Sequence, residues 1–75
     1  MSSASTTPTP AEQLGALVQQ QVLERVRVLR FRVLVQEQGL VLQGCAPTYY
    51  AKQIAQHAAM EVSGLPLLAN EIEVR

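Results

Sequence analysis

The chain has 75 residues, with six Lys or Arg against six Asp or Glu, so its formal net charge at pH 7 is zero. This length allows one small domain, and the 48% hydrophobic content excludes a wholly disordered chain. The sequence has no run of Lys or Arg, which argues against nucleic-acid binding. No stretch approaches the ~20 apolar residues that cross a bilayer, because Arg30, Arg32 and Gln36 interrupt the apolar segments.

The first ten residues are rich in Ser, Thr and Pro and are predicted to form a disordered tail, followed by a single domain over residues 11–75. The tail has no basic residue and no apolar block, so it does not look like an export signal. We therefore expect a cytoplasmic protein that is at most peripheral at a membrane. Cys45 is the only cysteine and cannot form a disulfide within the chain, although a bridge between chains stays open.

Apolar residues at spacings of three and four predict an amphipathic helix over roughly residues 11–25. Its expected apolar stripe is Leu14, Leu17, Val18, Val22 and Val26. Thr9 supplies a capping hydroxyl, and Pro10 suits the first helical position. Gly15 is expected to weaken this helix by about 1 kcal/mol relative to Ala.

From Leu29 the apolar period changes to two, which is typical of a strand. The residues expected on its buried face are Leu29, Phe31, Val33 and Val35, with Arg30, Arg32, Leu34 and Gln36 on the other. A turn over residues 36–39, with Gly39 free to adopt a positive φ, leads to a second strand over residues 40–45. In that strand we expect Leu40 and Leu42 to be buried and Val41, Gln43 and Cys45 to face the other way.

A second helix is predicted after Pro47, with a stripe of small apolar residues on its packed side. The stripe consists of Ala51, Ile54, Ala55, Ala58, Ala59 and Val62. Gly64 is expected to end the helix in a left-handed conformation, and Pro66 prevents its continuation. Alternation over residues 67–75 predicts a third strand.

The order helix, strand, strand, helix, strand predicts an α+β fold: a three-stranded mixed sheet with two helices packed on one face and the other face bare. A right-handed crossover through the second helix makes strands two and three parallel. If the crossover passes over the first strand, that strand becomes the centre of the sheet. Arg30 and Arg32 would then face Glu71 and Glu73 across the ladder.

The chain resembles the BON-domain family of bacterial osmotic-shock and nodulation proteins through three landmarks in order. These are Val-x-Val before a turn and Leu-x-Gly, an Ala-rich helix, and Val-x-Gly-Leu before Asn-x-Ile-x-Val. The matching residues are Val33, Val35, Leu42, Gly44, Val62, Gly64, Leu65, Asn70, Ile72 and Val74. With the first helix, the resemblance covers residues 11–75. It implies the same fold and attachment to phospholipid surfaces or envelope partners, without catalysis.

Five residues are candidates for contact with a lipid or a partner: Arg27, Arg30, Arg32, Leu34 and Val41. The arginines could bind an anionic headgroup; the alternative is that the glutamates of the third strand neutralise them. Leu34 and Val41 are apolar on the face expected to be bare, where either simple exposure or contact with a partner or a second copy would explain them. Gly39, Gly44 and Gly64 fall at element boundaries and are interpreted as structural.

No catalytic, cofactor or metal site is predicted. His57, expected on the solvent side of the second helix, is the only histidine, and one cysteine without any Asp leaves too few metal ligands. Ser63 has no convincing base and orienting acid. Tyr49 and Tyr50 are expected at the rim of the core, the alternative being contact with a lipid or a partner. The sequence thus predicts a non-enzymatic module for anionic lipid or protein partners, the alternative being a self-assembling structural adaptor.

Overall fold

A computed structural model describes residues 9–75 as two helices and three strands. The elements are α1 (Pro10–Arg25), β1 (Leu29–Gln36), β2 (Gly39–Ala46), α2 (Tyr49–Ser63) and β3 (Leu67–Val74). β1 pairs antiparallel with β2, and β2 pairs parallel with β3. The predicted α+β fold with its mixed sheet is confirmed. The predicted tail lies outside the described residues except for Thr9 and Pro10.

α1 begins with a reciprocal pair of hydrogen bonds, one residue earlier than predicted. The Glu12 amide donates to Thr9 Oγ1 at 3.1 Å, and the Thr9 amide donates to Glu12 Oε1 at 2.9 Å. The expected apolar stripe is wrong at Leu17, which is 47% exposed. Gly15 is buried instead, and a Cβ there would lie 3.3 Å from the Val33 carbonyl oxygen. The missing side chain therefore lets α1 lie close to β1.

α2 begins after Pro47, where Thr48 Oγ1 accepts a hydrogen bond from the Ala51 amide at 3.0 Å. The four alanines of the predicted stripe are buried, with Ala55 and Ala59 fully inaccessible, whereas Ile54 and Val62 are only half-buried. Gly64 ends the helix at φ 70° and ψ 12°, the predicted left-handed conformation. The alanine side of α2 consequently packs against both α1 and the sheet.

The core lies between the two helices and one face of the sheet. Leu40 and Leu42 of β2 have no exposed surface, as predicted for this face. Their main partners are Val18 and Val22 of α1, the alanines of α2, Phe31 of β1 and Ile72 of β3. Burying a Leu or Ile side chain contributes about 1.5–3 kcal/mol, so this layer holds both helices on the same face of the sheet.

β2 is the central strand, so the arrangement with β1 at the centre, which required the crossover to pass over β1, does not occur. β2 is the most buried of the three strands, while β1 and β3 carry exposed charged side chains that suit sheet edges. With β2 between them, Arg30 and Arg32 of β1 are not neighbours of Glu71 and Glu73. The alternative in which these glutamates neutralise the arginines across the ladder therefore does not occur.

A β-bulge interrupts the pairing of β1 with β2. Leu29 pairs with Cys45 and Arg32 pairs with Gln43, so that Arg30 and Phe31 together oppose one residue. Arg30 has φ 53°, in the left-handed region. The extra residue reverses the face of everything before it, so Leu29 is 62% exposed rather than buried as expected.

Gly44 is the residue opposite the bulge. It has φ 149°, and a Cβ on it would lie 2.8 Å from Val28 Cγ1 and 2.9 Å from the Leu29 carbonyl oxygen. At the other end of β2, a Cβ on Gly39 would overlap the Pro66 carbonyl oxygen. Both ends of the central strand therefore depend on an absent side chain.

Replacing Gly44 with Ala is expected to lower the free energy of unfolding by about 3 kcal/mol, because the methyl group meets Val28 and the Leu29 backbone in a conformation unfavourable for L residues. Gly64→Ala is the matched control. Its position also has a positive φ, but nothing lies within 4 Å of the added carbon, so a loss of only about 1 kcal/mol is expected. Urea unfolding measures both variants, and equal losses would contradict the steric explanation.

Candidate functional site

The face of the sheet opposite the helices is not covered by any part of residues 9–75, and it is called the open face below. The strand register arranges its side chains in three rows across the sheet. They are Leu29, Cys45 and Glu73; then Arg32, Gln43 and Glu71; then Leu34, Val41 and Ala69. Each row takes one residue from β1, β2 and β3 in that order.

The open face is electrically polarised from one edge strand to the other. Arg32 lies on β1 and Glu71 on β3, two strand spacings or about 10 Å apart. Gln43 lies between them and donates from Nε2 to Glu71 Oε1 at 2.9 Å. The third row is wholly apolar, with Leu34 37% exposed. The face therefore combines a basic edge, an acidic edge and an apolar end.

A second feature, named the basic corner, consists of Arg27, Leu29, Arg30 and Arg75 around a cavity of about 350 Å³. Arg27 lies in the loop before β1, and the bulge places Leu29 and Arg30 at the rim. The Arg75 amide donates to the Ala46 carbonyl oxygen at 2.9 Å, which fixes the end of β3 beside them. The corner thus presents three guanidinium groups next to an exposed leucine.

The arginines fall into two groups, those that form an ion pair within the described residues and those that do not. Arg75 donates from Nη2 to Glu73 Oε1 at 2.7 Å, and this hydrogen bond and the carboxylate charge raise the pKa of Arg75. In the part of the chain that the structure describes, the only other ion pair joins Arg25 to Glu61. Arg27, Arg30 and Arg32 thus have no carboxylate partner within residues 9–75. Their charges remain available to an anion.

Tyr49 and Tyr50 lie on the surface, 62% and 72% exposed, so their expected place at the rim of the core is wrong. The alanine stripe sets the rotation of α2 and turns both tyrosines away from the sheet. α2 begins three residues after β2 ends, and Ala46 and Pro47 line the corner cavity. The two phenol rings therefore lie at the same end of the sheet as the basic corner.

The five predicted contact residues belong to two surfaces rather than one. Arg27 and Arg30 are at the basic corner, whereas Arg32, Leu34 and Val41 are on the open face. Leu29 and Arg75 were missed. Strand alternation places Leu29 in the core, because a bulge leaves no distinct apolar period in the sequence. Arg75 comes near β1 only because β3 pairs in parallel with β2.

The remaining polar groups of residues 9–75 do not assemble into a further site. A cleft of about 680 Å³ separates α1 from the outer edge of β1, but Glu12 on its rim is already bonded to the Thr9 backbone. His57 is exposed as predicted, and Ser63 Oγ accepts from the Leu65 amide at 3.0 Å. Within residues 9–75, no three potential metal ligands form a cluster. None of the helices in this range combines the length and hydropathy needed to cross a membrane.

Comparisons with protein-family models, with curated proteins and with solved structures give no match for this chain. The resemblance to the BON-domain family stays a prediction from the residues quoted above.

The strain at Arg30 gives a test of the corner's backbone. Arg30→Gly is expected to raise the free energy of unfolding by up to about 1 kcal/mol, because a left-handed conformation costs an L residue about 1–2 kcal/mol. Arg32→Gly, two residues along the same strand, is the matched control and is expected to lose about 1 kcal/mol through the flexibility of glycine in a regular strand. Urea unfolding compares them; a loss at Arg30 as large as at Arg32 would contradict the strained bulge.

Proposed function

We propose that this chain is a non-catalytic binding module that attaches to anionic phospholipid surfaces through its basic corner. The observation that carries the proposal is the grouping of Arg27 and Arg30 with the exposed Leu29 around one cavity. Neither arginine has a carboxylate partner among residues 9–75. A phosphate group entering the cavity would meet charge that the fold itself does not use.

The chemistry of the corner suits a lipid headgroup. A guanidinium offers two parallel N–H donors to phosphate oxygens, and each Arg near an anionic membrane contributes about 1 kcal/mol. Leu29 adds apolar surface at the same place. Tyr49 and Tyr50 are amphipathic side chains of the type that collects at the level of lipid headgroups.

Arg30 adds a second line of support. A residue other than glycine in the left-handed region costs stability, and such residues concentrate at functional sites. Glycine would relieve this cost, whereas arginine keeps a charged side chain at the rim of the cavity. An arginine at this strained position supports a role for its guanidinium group in binding.

The basic corner is a better attachment point for an anionic surface than the open face. Glu71 lies on the open face and would repel lipid phosphates brought flat against it, whereas Glu73, at the corner end of the sheet, is ion-paired with Arg75. An end-on approach brings the arginines of the corner and the exposed tyrosines to the membrane first. The open face is then left for contact with protein, which is the second candidate function and is supported by its apolar third row.

Co-sedimentation with vesicles tests the attachment. Wild-type protein is expected to bind phosphatidylglycerol-containing vesicles at low salt and not phosphatidylcholine vesicles. Arg27→Ala/Arg30→Ala is expected to lower the partition coefficient roughly thirty-fold, from the loss of about 2 kcal/mol of electrostatic attraction. Raising the salt to about 0.5 M should weaken wild-type binding by screening.

A matched control changes the net charge equally but away from the corner. Gln13→Glu/Gln20→Glu, at two exposed positions of α1, should leave most of the binding intact. Inorganic phosphate as a competitor distinguishes a site for free phosphate from one that needs a membrane. Absence of binding to anionic vesicles at low salt, or an equal loss in the control, would refute the proposal.

A further inference from the structure

We infer that two copies of this chain pack through their open faces, with β1 of each copy over β3 of the other. The basis is the polarised second row, in which Arg32 and Glu71 lie on opposite edge strands. A face that carries both charges in this arrangement is complementary to itself. A second copy of the chain is therefore enough to pair these charges, and no other protein is required.

The symmetry follows from the positions of the charges. A two-fold axis along β2, between the two sheets, exchanges the edge strands and leaves every row opposite the same row. Arg32 then faces Glu71 of the second copy, and the reciprocal pair forms on the other side of the axis. An axis across the strands would instead place β1 over β1 and bring arginine toward arginine.

The same arrangement matches the apolar side chains. In the third row, Val41 lies on the axis against Val41 of the second copy, and Leu34 faces Ala69. Large and small side chains thus alternate across the contact, which suits sheets packed about 10 Å apart. Burial of this row supplies attraction, and the second row determines which edge strands face each other.

Packing by faces is favoured over pairing by strand edges. β1 is an edge strand, but its bulge at Arg30 breaks the regular row of backbone groups that another strand would need. β3 has a register irregularity of its own opposite residues 40 and 41. The second and third rows of the open face lie on the regular part of the β1–β2 ladder, between the bulge and the turn.

The size of the face sets the strength of the contact. Three strands of eight residues make a surface about 14 Å wide and about 27 Å long, so two copies bury roughly 750 Å² together. Stable complexes bury about 1,200–2,000 Å². The pair is therefore a weak, reversible dimer. Because the axis runs along the strands, both basic corners lie at the same end of the dimer.

Sedimentation velocity without lipid, from about 10 µM to about 1 mM at low salt, tests the dimer. Wild-type protein is expected to shift from monomer to dimer over this range. Arg32→Glu and Glu71→Arg should each weaken the dimer at least about tenfold, because each places like charges opposite one another at two symmetric positions. The double variant Arg32→Glu/Glu71→Arg restores both pairs and should return to within about threefold of wild type.

Glu24→Arg is the control, since it makes the same charge change as Glu71→Arg at an exposed position of α1. It should dimerise like wild type. Cys45 gives an independent measurement: it lies on the axis in the first row, so a short bis-maleimide should link two wild-type chains, but not Cys45→Ser chains. Linking should fall in Arg32→Glu and recover in the double variant.

A wild-type monomer throughout the concentration range would overturn the inference. So would a double variant that dimerises no better than the single variants, because the predicted charge pairs would then not exist. Lipid is absent from these measurements, so their failure is distinct from a failure of vesicle attachment.

Discussion

The burial of Leu40 and Leu42 under both helices is the interaction on which the rest of the structure depends. This burial requires a strand on each side of β2. At an edge of the sheet, part of the apolar surface of β2 would be exposed to water. With β2 central, the basic residues of β1 and the acidic residues of β3 are held two strands apart. If β1 and β3 were adjacent, their opposite charges would neutralise one another. With β2 between them, both sets of charges remain available on the surface.

The bulge connects this core to the candidate site. Gly44 lets β1 pass so close that a side chain would collide with Val28 and the Leu29 backbone, and Arg30 takes up the extra length in a left-handed conformation. Val28 is thereby buried and Leu29 turned outward. The bulge therefore has two effects. It completes the core by burying Val28, and it places Leu29 and Arg30 at the rim of the basic corner.

The two surfaces differ in the partner that their charges favour. At the basic corner, arginine outnumbers glutamate and an exposed leucine lies among the cations, which suits an anionic and partly apolar surface. On the open face, opposite charges occupy opposite edges, so attraction to any surface of one sign is largely cancelled. Such a face is better matched by a second open face whose acidic edge lies opposite its basic edge. The corner and the face share Leu29 and Cys45, but their charged side chains differ: Arg27 and Arg30 at the corner, and Arg32 and Glu71 on the face.

Local structure could be predicted from the sequence alone, because helix periodicity, the cap at Thr9, the stop at Gly64 and strand alternation are properties of short segments. The sequence also determined that β2 buries Leu40 and Leu42. The identity of the central strand, the bulge at Arg30 and the proximity of Arg75 to Arg27 emerge only in the folded chain. Those outcomes depend on contacts between residues far apart in the chain. The close fit of Gly44 against Val28 and the burial of β2 between two strands outweigh the local preference for regular strand alternation.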